Sequence, residues 1–258
     1  MRRGAVGMRI GTAGWSIPAA VRDGFPAAGT GLERYAARLN AAEINSSFYR
    51  PHRPATYERW AATVPADFAF AVKLPKAVTH VARLVAANDM LAGFAAEVAG
   101  LGGKLGVILV QLPPSLAFDA AIATPFFRQL GKALPQADIA CEPRHASWFT
   151  ADANALLASL RVARVAADPA IVPVAGQPGG WPGLRYRRLH GSPTIYRSSY
   201  DARALETIAA EVAPAPAGTR DWCVFDNTAS GAAIANALTL QAMVAERRVS
   251  GAAPASQG

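Results

Sequence analysis

The sequence predicts a single (β/α)8 barrel of the TIM type, α/β in class, and three observations carry that prediction. Eight short apolar runs recur every few tens of residues, with amphipathic sequence between them. The runs are apolar at both parities, as parallel strands are when helices cover the outside and layered side chains fill the inside. Each run also carries polar or charged residues toward its C-terminal end, as expected where a barrel gathers its strand ends into one functional face.

Taken in order, the strand runs are Met8 to Trp15, Ala42 to Tyr49, Phe68 to Pro75, Gly106 to Pro113, Ile139 to His145, Ala163 to Asp168, Leu184 to Gly191 and Trp222 to Thr228. Helical spacing of apolar residues places helices at Leu32 to Leu39, Thr56 to Thr63, Asn88 to Leu101, Pro125 to Ala133, Ala153 to Leu160, Ala202 to Val212 and Ile234 to Arg247. Ala175 to Gly183, rich in Gly and Pro, reads as the main loop. An open doubly wound sheet is the competing architecture. No GxGxxG turn follows the first strand, and the eight runs use the length with little left over, which favours the closed barrel. A chain of 258 residues, 52% hydrophobic, suits one such domain. Residues 8–247 are assigned to it, residues 1–7 to a flexible extension and residues 248–258 to a disordered tail.

No apolar run of about 18 uncharged residues is present, and the opening MRRGAVG leads into a strand pattern rather than a signal core. These features predict a cytoplasmic chain with no membrane partner; they leave the oligomeric state open. Cys141 and Cys223 fall on separate strands at positions facing the helix layer, so buried reduced thiols are expected rather than a disulfide. The net charge of +8 admits nucleic acid or another polyanion as partner. An arginine- and alanine-rich composition of the kind GC-rich coding produces accounts for that charge equally well.

The runs also carry ordered motifs: GTAGW (Gly11 to Trp15), EINSSFYR (Glu43 to Arg50), FAVKLPKAVTH (Phe70 to His80), QLPPSL (Gln111 to Leu116), EPRHASW (Glu142 to Trp148), ADP (Ala167 to Pro169), RLHG (Arg188 to Gly191) and FDNTASGAAIANAL (Phe225 to Leu238). In this order they resemble the YecE-like family, domain of unknown function 72. The resemblance implies a TIM-barrel-like fold and an unassigned activity. The family pattern has two asparagines after the aromatic of the last strand, where this chain has Asp226 and Asn227.

Strand alternation puts Glu43 and Asn45 on one face, as it does Glu142 and Arg144, and Arg188 and His190. The bland reading is a ring of ion pairs in which Lys73, Arg144 and Arg188 balance Glu43, Glu142, Asp168 and Asp226. Desolvated charges are costly, which favours a functional mouth instead. The preferred function is an enzyme or binder of a small anionic ligand, phosphorylated or carboxylated. Glu142 and His190 are its acid and base candidates, with Glu43 and Asp168 also placed in the catalytic set. Lys73, Arg144 and Arg188 supply anion contacts, with Arg50 and Lys76 on the rim. Asn45, Gln111 and Asn227 add polar ligand contacts, and Trp15, Tyr49 and Trp148 a stacking wall.

No cofactor is expected on this reading. An alternative takes a divalent metal at Glu142, Asp168, His190 and Asp226, a set that resembles the ligands of xylose-isomerase-like barrels such as sugar epimerases. Another is a nucleic-acid binder or endonuclease IV-like phosphodiesterase, suggested by charge and fold-level analogy. Of the remaining histidines, His145 has the parity opposite to Arg144 and is expected to brace its loop. His80 lies where a loop could cover the mouth, and His52 is expected to serve loop packing.

Overall fold

The computed structural model describes residues 8–212 and 218–251. Its core is a ring of parallel strands: β1 (Arg9–Ala13), β2 (Ala41–Ile44), β3 (Ala69–Lys73), β4 (Leu105–Gln111), β5 (Asp138–Glu142), β6 (Val162–Arg164), β7 (Ala166–Asp168), β9 (Leu184–Leu189) and β10 (Arg220–Phe225). β6 pairs with β5 and β7 pairs with β9, while only Val165 separates the two in sequence. They form one broken sixth strand, and this strand closes the barrel. All eight strand runs predicted from sequence are present. A two-residue strand, β8 (Gly179–Gly180), pairs antiparallel with β6, so the segment Ala175 to Gly183 is not simply a loop.

Helices cover the outside: α1 (Gly31–Ala36), α2 (Pro54–Thr63), α3 (Asn88–Val98), α4 (Ala120–Ala133), α5 (Ala151–Ser159), α6 (Ala202–Val212) and α7 (Ala232–Gly251). α4 starts five residues before the sequence reading placed it. The Asp119 side chain accepts the Ala121 N–H at 2.8 Å and caps the helix, which then runs through Pro125. α7 extends to Gly251, past the predicted end at Arg247 and into the predicted tail. The extension at residues 1–7 and the tail residues 252–258 lie outside the described residues. Among the described residues no helix is long and apolar enough to cross a membrane.

The barrel interior and the layer beneath the helices are two separate apolar clusters. The interior is built from Ala41, Ala69, Ala71, Ala140 and Ala163 facing Tyr186 and Trp222, with Val107, Leu109, Val165, Leu184 and Val224 between them. Small residues on β2, β3, β5 and β6 leave the volume that the two rings, stacked at 5.8 Å, occupy. Gly106 completes this fit, because a Cβ there would lie 2.7 Å from the Trp222 ring. Cys141 and Cys223 are buried free thiols in the outer cluster, as expected from their parity.

Candidate functional site

Above the apolar interior the inward positions turn polar. Glu43 (β2), Lys73 (β3), Gln111 (β4), Glu142 (β5) and Arg188 (β9) lie at or next to the C-terminal strand ends, and Asp226 follows β10. The backbone register sets Gln111 opposite Glu142 and Val224 opposite Arg188. Period-2 alternation carries each side chain into the barrel; the opposite face is apolar on β2 to β5, whereas β9 carries Arg185 and Arg187 there.

Arg188 is the hub, with none of its side chain exposed. Its Nε and Nη2 donate to Glu43 at 3.1 and 2.7 Å, its Nη1 to Glu142 Oε2 at 2.6 Å, and its Nη2 also to Asp226 Oδ2 at 2.9 Å. Tyr186, one layer below on the same strand, donates its hydroxyl to Glu43 Oε2 at 2.8 Å. Burial would lower the Arg188 pKa, but Glu43, Glu142 and Asp226 outweigh it and raise it well above the ordinary value. Burial alone would raise the Glu142 carboxyl; Arg188, His190 and Arg144 together hold it well below the usual carboxylate range. Asp226 is lowered for the same reason, with burial overcome by Arg188 and the bond to His190.

His190 completes the cluster. Its Nδ1 lies 3.1 Å from Asp226 Oδ2. Its Nε2 has two neighbours of opposite character: the Glu142 Oε1 acceptor at 3.0 Å and the Arg144 Nη2 donor at 2.9 Å. A protonated imidazole satisfies Glu142, whereas a neutral one with its proton on Nδ1 accepts from Arg144. Both protonation states therefore find partners without rearrangement. Burial lowers the His190 pKa, but Glu142 and the two carboxylate hydrogen bonds raise it above the ordinary value overall. Arg144 also meets Glu142 Oε1 at 2.5 Å, while its Nε is buried without a partner. Gln111 Nε2 donates to the same Glu142 oxygen at 3.3 Å.

Lys73 stands apart from this network. It is 8% exposed, its ammonium makes no hydrogen bond or ion pair among the described residues, and that ammonium lies 4.2 Å from the centre of the Phe48 ring. Burial, with Arg188 nearby, lowers its pKa to about 8 against the pull of Glu43, Glu142 and Asp226. His80 packs on the same Phe48 ring at 5.0 Å, and burial with Lys73 and Lys76 lowers its pKa. Tyr196 meets the His190 ring edge-on at 5.8 Å. Phe48 lies within the EINSSFYR motif but, like Tyr196, has no polar chemistry that singles it out; Tyr186 was findable, since it shares parity with Arg188.

Several residues expected at the mouth lie elsewhere. Asp168 pairs in register with Leu189, whose side chain belongs to the outer cluster, and its Oδ2 accepts the Tyr200 hydroxyl at 2.6 Å. It therefore faces the helix layer and not Glu142, His190 and Asp226. Among the described residues no group of three or more His, Cys, Asp or Glu side chains is disposed to hold a metal ion. Trp148 is a core residue, 1% exposed, donating its indole N–H to Leu116 O at 2.9 Å against the Phe118 ring. Trp15 packs between Trp60 and Phe70, at 5.2 and 6.2 Å, on the outer side of β3.

Asn227 is a buried latch. It donates to Ser198 O at 3.0 Å and to Asn236 Oδ1 at 2.9 Å, tying the 191–200 loop to α7. Asn45 begins a 3-10 turn (Ser46–Phe48) at the end of β2, its Oδ1 buried without a partner, while Arg50 and Tyr49 are exposed. His145 accepts the Ser147 N–H through Nδ1 at 3.2 Å, bracing the turn into Trp148. His52 packs on Tyr57 and Trp60.

Comparison with known proteins agrees with this architecture. Two solved structures of DUF72 family proteins align over 92% of this chain. That from Enterococcus faecalis has a TM-score of 0.76 at 19% identity and 95% coverage of its own length. That from Thermotoga maritima has a TM-score of 0.75 at 23% identity and 99% coverage. At such identities the likeness establishes the fold alone. The UPF0759 protein YecE of Escherichia coli is 34% identical over 104 residues, which are 40% of this chain and 37% of YecE. The aligned part of the chain thus spans well under half of that relative. The family model described as "Protein of unknown function DUF72" matches residues 9–258, and the chain belongs to that family.

Proposed function

We propose that the barrel mouth binds the anionic end of a small molecule at Lys73 and Arg144 and moves a proton at His190 Nε2. The observation that supports this most directly is the Lys73 ammonium, nearly buried and without an ion pair. A desolvated cation without a direct ion pair is costly, and a bound phosphate or carboxylate lowers that cost. Arg144 adds a guanidinium whose Nε has no partner, on the same rim. Arg188 has its Nε, Nη1 and Nη2 committed to carboxylates, so it positions Glu43, Glu142 and Asp226 instead of contacting ligand.

On this reading the acid and base candidates separate. Glu142 stays ionised and accepts from Arg188, Gln111 and Arg144; Glu43 fixes Arg188. His190 is the group whose proton can move, oriented through Nδ1 by Asp226. A cluster of this kind contributes little net stability, since apolar replacements of buried ion pairs are often neutral or better. Strongly shifted ionisable groups gathered at one barrel mouth are better explained by chemistry.

Calorimetric titration with inorganic phosphate tests the reading. Lys73→Met is expected to weaken binding by about 1.5–3 kcal/mol, the range for charge-assisted hydrogen bonds. Because Lys73 titrates near pH 8, wild-type affinity should weaken as the pH rises through that value. Equal affinity in the two proteins would reject Lys73 as an anion contact. Nanomolar duplex binding at about 0.15 M salt, far tighter than non-specific association at about 10⁻⁴–10⁻⁶ M, would favour the nucleic-acid reading instead.

A further inference from the structure

The outer face of the sheet, away from the barrel interior, carries a cavity. It lies between β7, β9 and α6, has a volume of about 440 Å³, and is lined by Arg187, Asp168, Tyr200, Asp201 and Glu211 among smaller residues. Arg187 and Arg188 are consecutive on β9, so alternation sends Arg188 into the barrel and Arg187 outward to this cavity. Its volume falls within the range of about 300–1,000 Å³ common for small-molecule sites.

Arg187 is the unexplained group. It is 6% exposed, its guanidinium makes no hydrogen bond among the described residues, and its Nε is buried without a partner. Its one ion pair, to the Glu211 carboxylate, is long at 3.8 Å. Desolvation lowers its pKa despite the carboxylates nearby. A buried guanidinium left in this state is strongly unfavourable, and its planar fork matches a carboxylate.

The rest of the lining has the opposite sign. Asp168, Asp201 and Glu211 line the cavity together with one Arg187, leaving it formally acidic. Asp168 accepts Tyr200 through Oδ2, and its other oxygen has no partner among the described residues. An ionised carboxylate only accepts, so a ligand end placed there must donate. A simple anion would satisfy Arg187 and be repelled by the acids; a simple cation would do the reverse.

We propose that this cavity is a binding site for a small zwitterion of the amino-acid type, its carboxylate on Arg187 and its ammonium toward Asp168. The site is separate from the barrel mouth and shares no residue with it. Thermal denaturation in the presence of each common protein amino acid at millimolar concentration tests the assignment, with succinate and cadaverine as single-sign controls. At least one amino acid should raise Tm in the wild-type protein, and neither control should.

Arg187→Met is expected to weaken that binding by about tenfold or more. Ala204→Trp, which fills the cavity from α6 and keeps Arg187, should abolish it, and decides the matter if Arg187→Met does not fold. Lys73→Met should leave the amino-acid shift intact, and Ala204→Trp should leave phosphate binding at the mouth intact. The proposal is overturned if no amino acid binds, if succinate alone binds, if the shift survives Ala204→Trp, or if it is lost in Lys73→Met.

Discussion

Replacing Arg188 with Met is expected to destabilise the protein by about 3–5 kcal/mol near neutral pH, the usual effect of removing one partner from a buried ion pair. The side chain is fully buried and forms ion pairs with Glu43, Glu142 and Asp226 at once. The pH dependence follows from the directions of the shifts. In the wild type Glu142 and Asp226 sit below their ordinary values, so their contribution is present above the unfolded carboxylate pKa and lost as the pH falls through the folded ones. Without Arg188 the burial of both carboxylates is less fully offset, so the variant should recover part of its deficit on mild acidification. Denaturant unfolding at several pH values measures this. A loss below about 1 kcal/mol at pH 7, within the range of an ordinary exposed pair, would show that Arg188 is not the hub.

Trp148→Ala is expected to cost about 3–5 kcal/mol, the range for deleting a large buried aromatic, while leaving phosphate affinity at the mouth unchanged. Trp148 ends the EPRHASW motif, which made it a natural candidate for a ligand wall. Its indole is spent on Leu116 O and its ring on Phe118. Unfolding and phosphate titration on the same preparation separate the two roles. Lost phosphate affinity in a fully folded variant would return Trp148 to the site.

The fold was legible because periodicity reports which face of a strand is buried. The same alternation identified Glu43, Glu142, Arg188 and His190, whose inward direction follows directly from their positions. Asp168 shows where the reading failed: Ala163 and Val165 point inward, so parity turns Asp168 outward, yet its place at a strand end outweighed parity. Trp15, Trp148 and Asn227 were misplaced for another reason. Each sits beyond a strand, where direction depends on turn geometry and on distant partners such as Trp60, Leu116 and Asn236. Helix starts were late where an Asp cap lies ahead of a proline, as at Asp119 and Pro125.

The central claim is that His190 carries the mobile proton beside an anion site formed by Lys73 and Arg144. Its most direct test is a ring-resolved NMR titration of His190 with and without inorganic phosphate. In the free protein the imidazole should titrate above its ordinary value, because Glu142 and Asp226 outweigh burial. Its contribution to stability is then complete below the unfolded imidazole pKa, near 6.5, and lost as the pH rises through the folded one. Phosphate should raise the His190 pKa further in the wild type and much less in Lys73→Met. A His190 that titrates at the ordinary imidazole value and ignores bound phosphate would contradict the account.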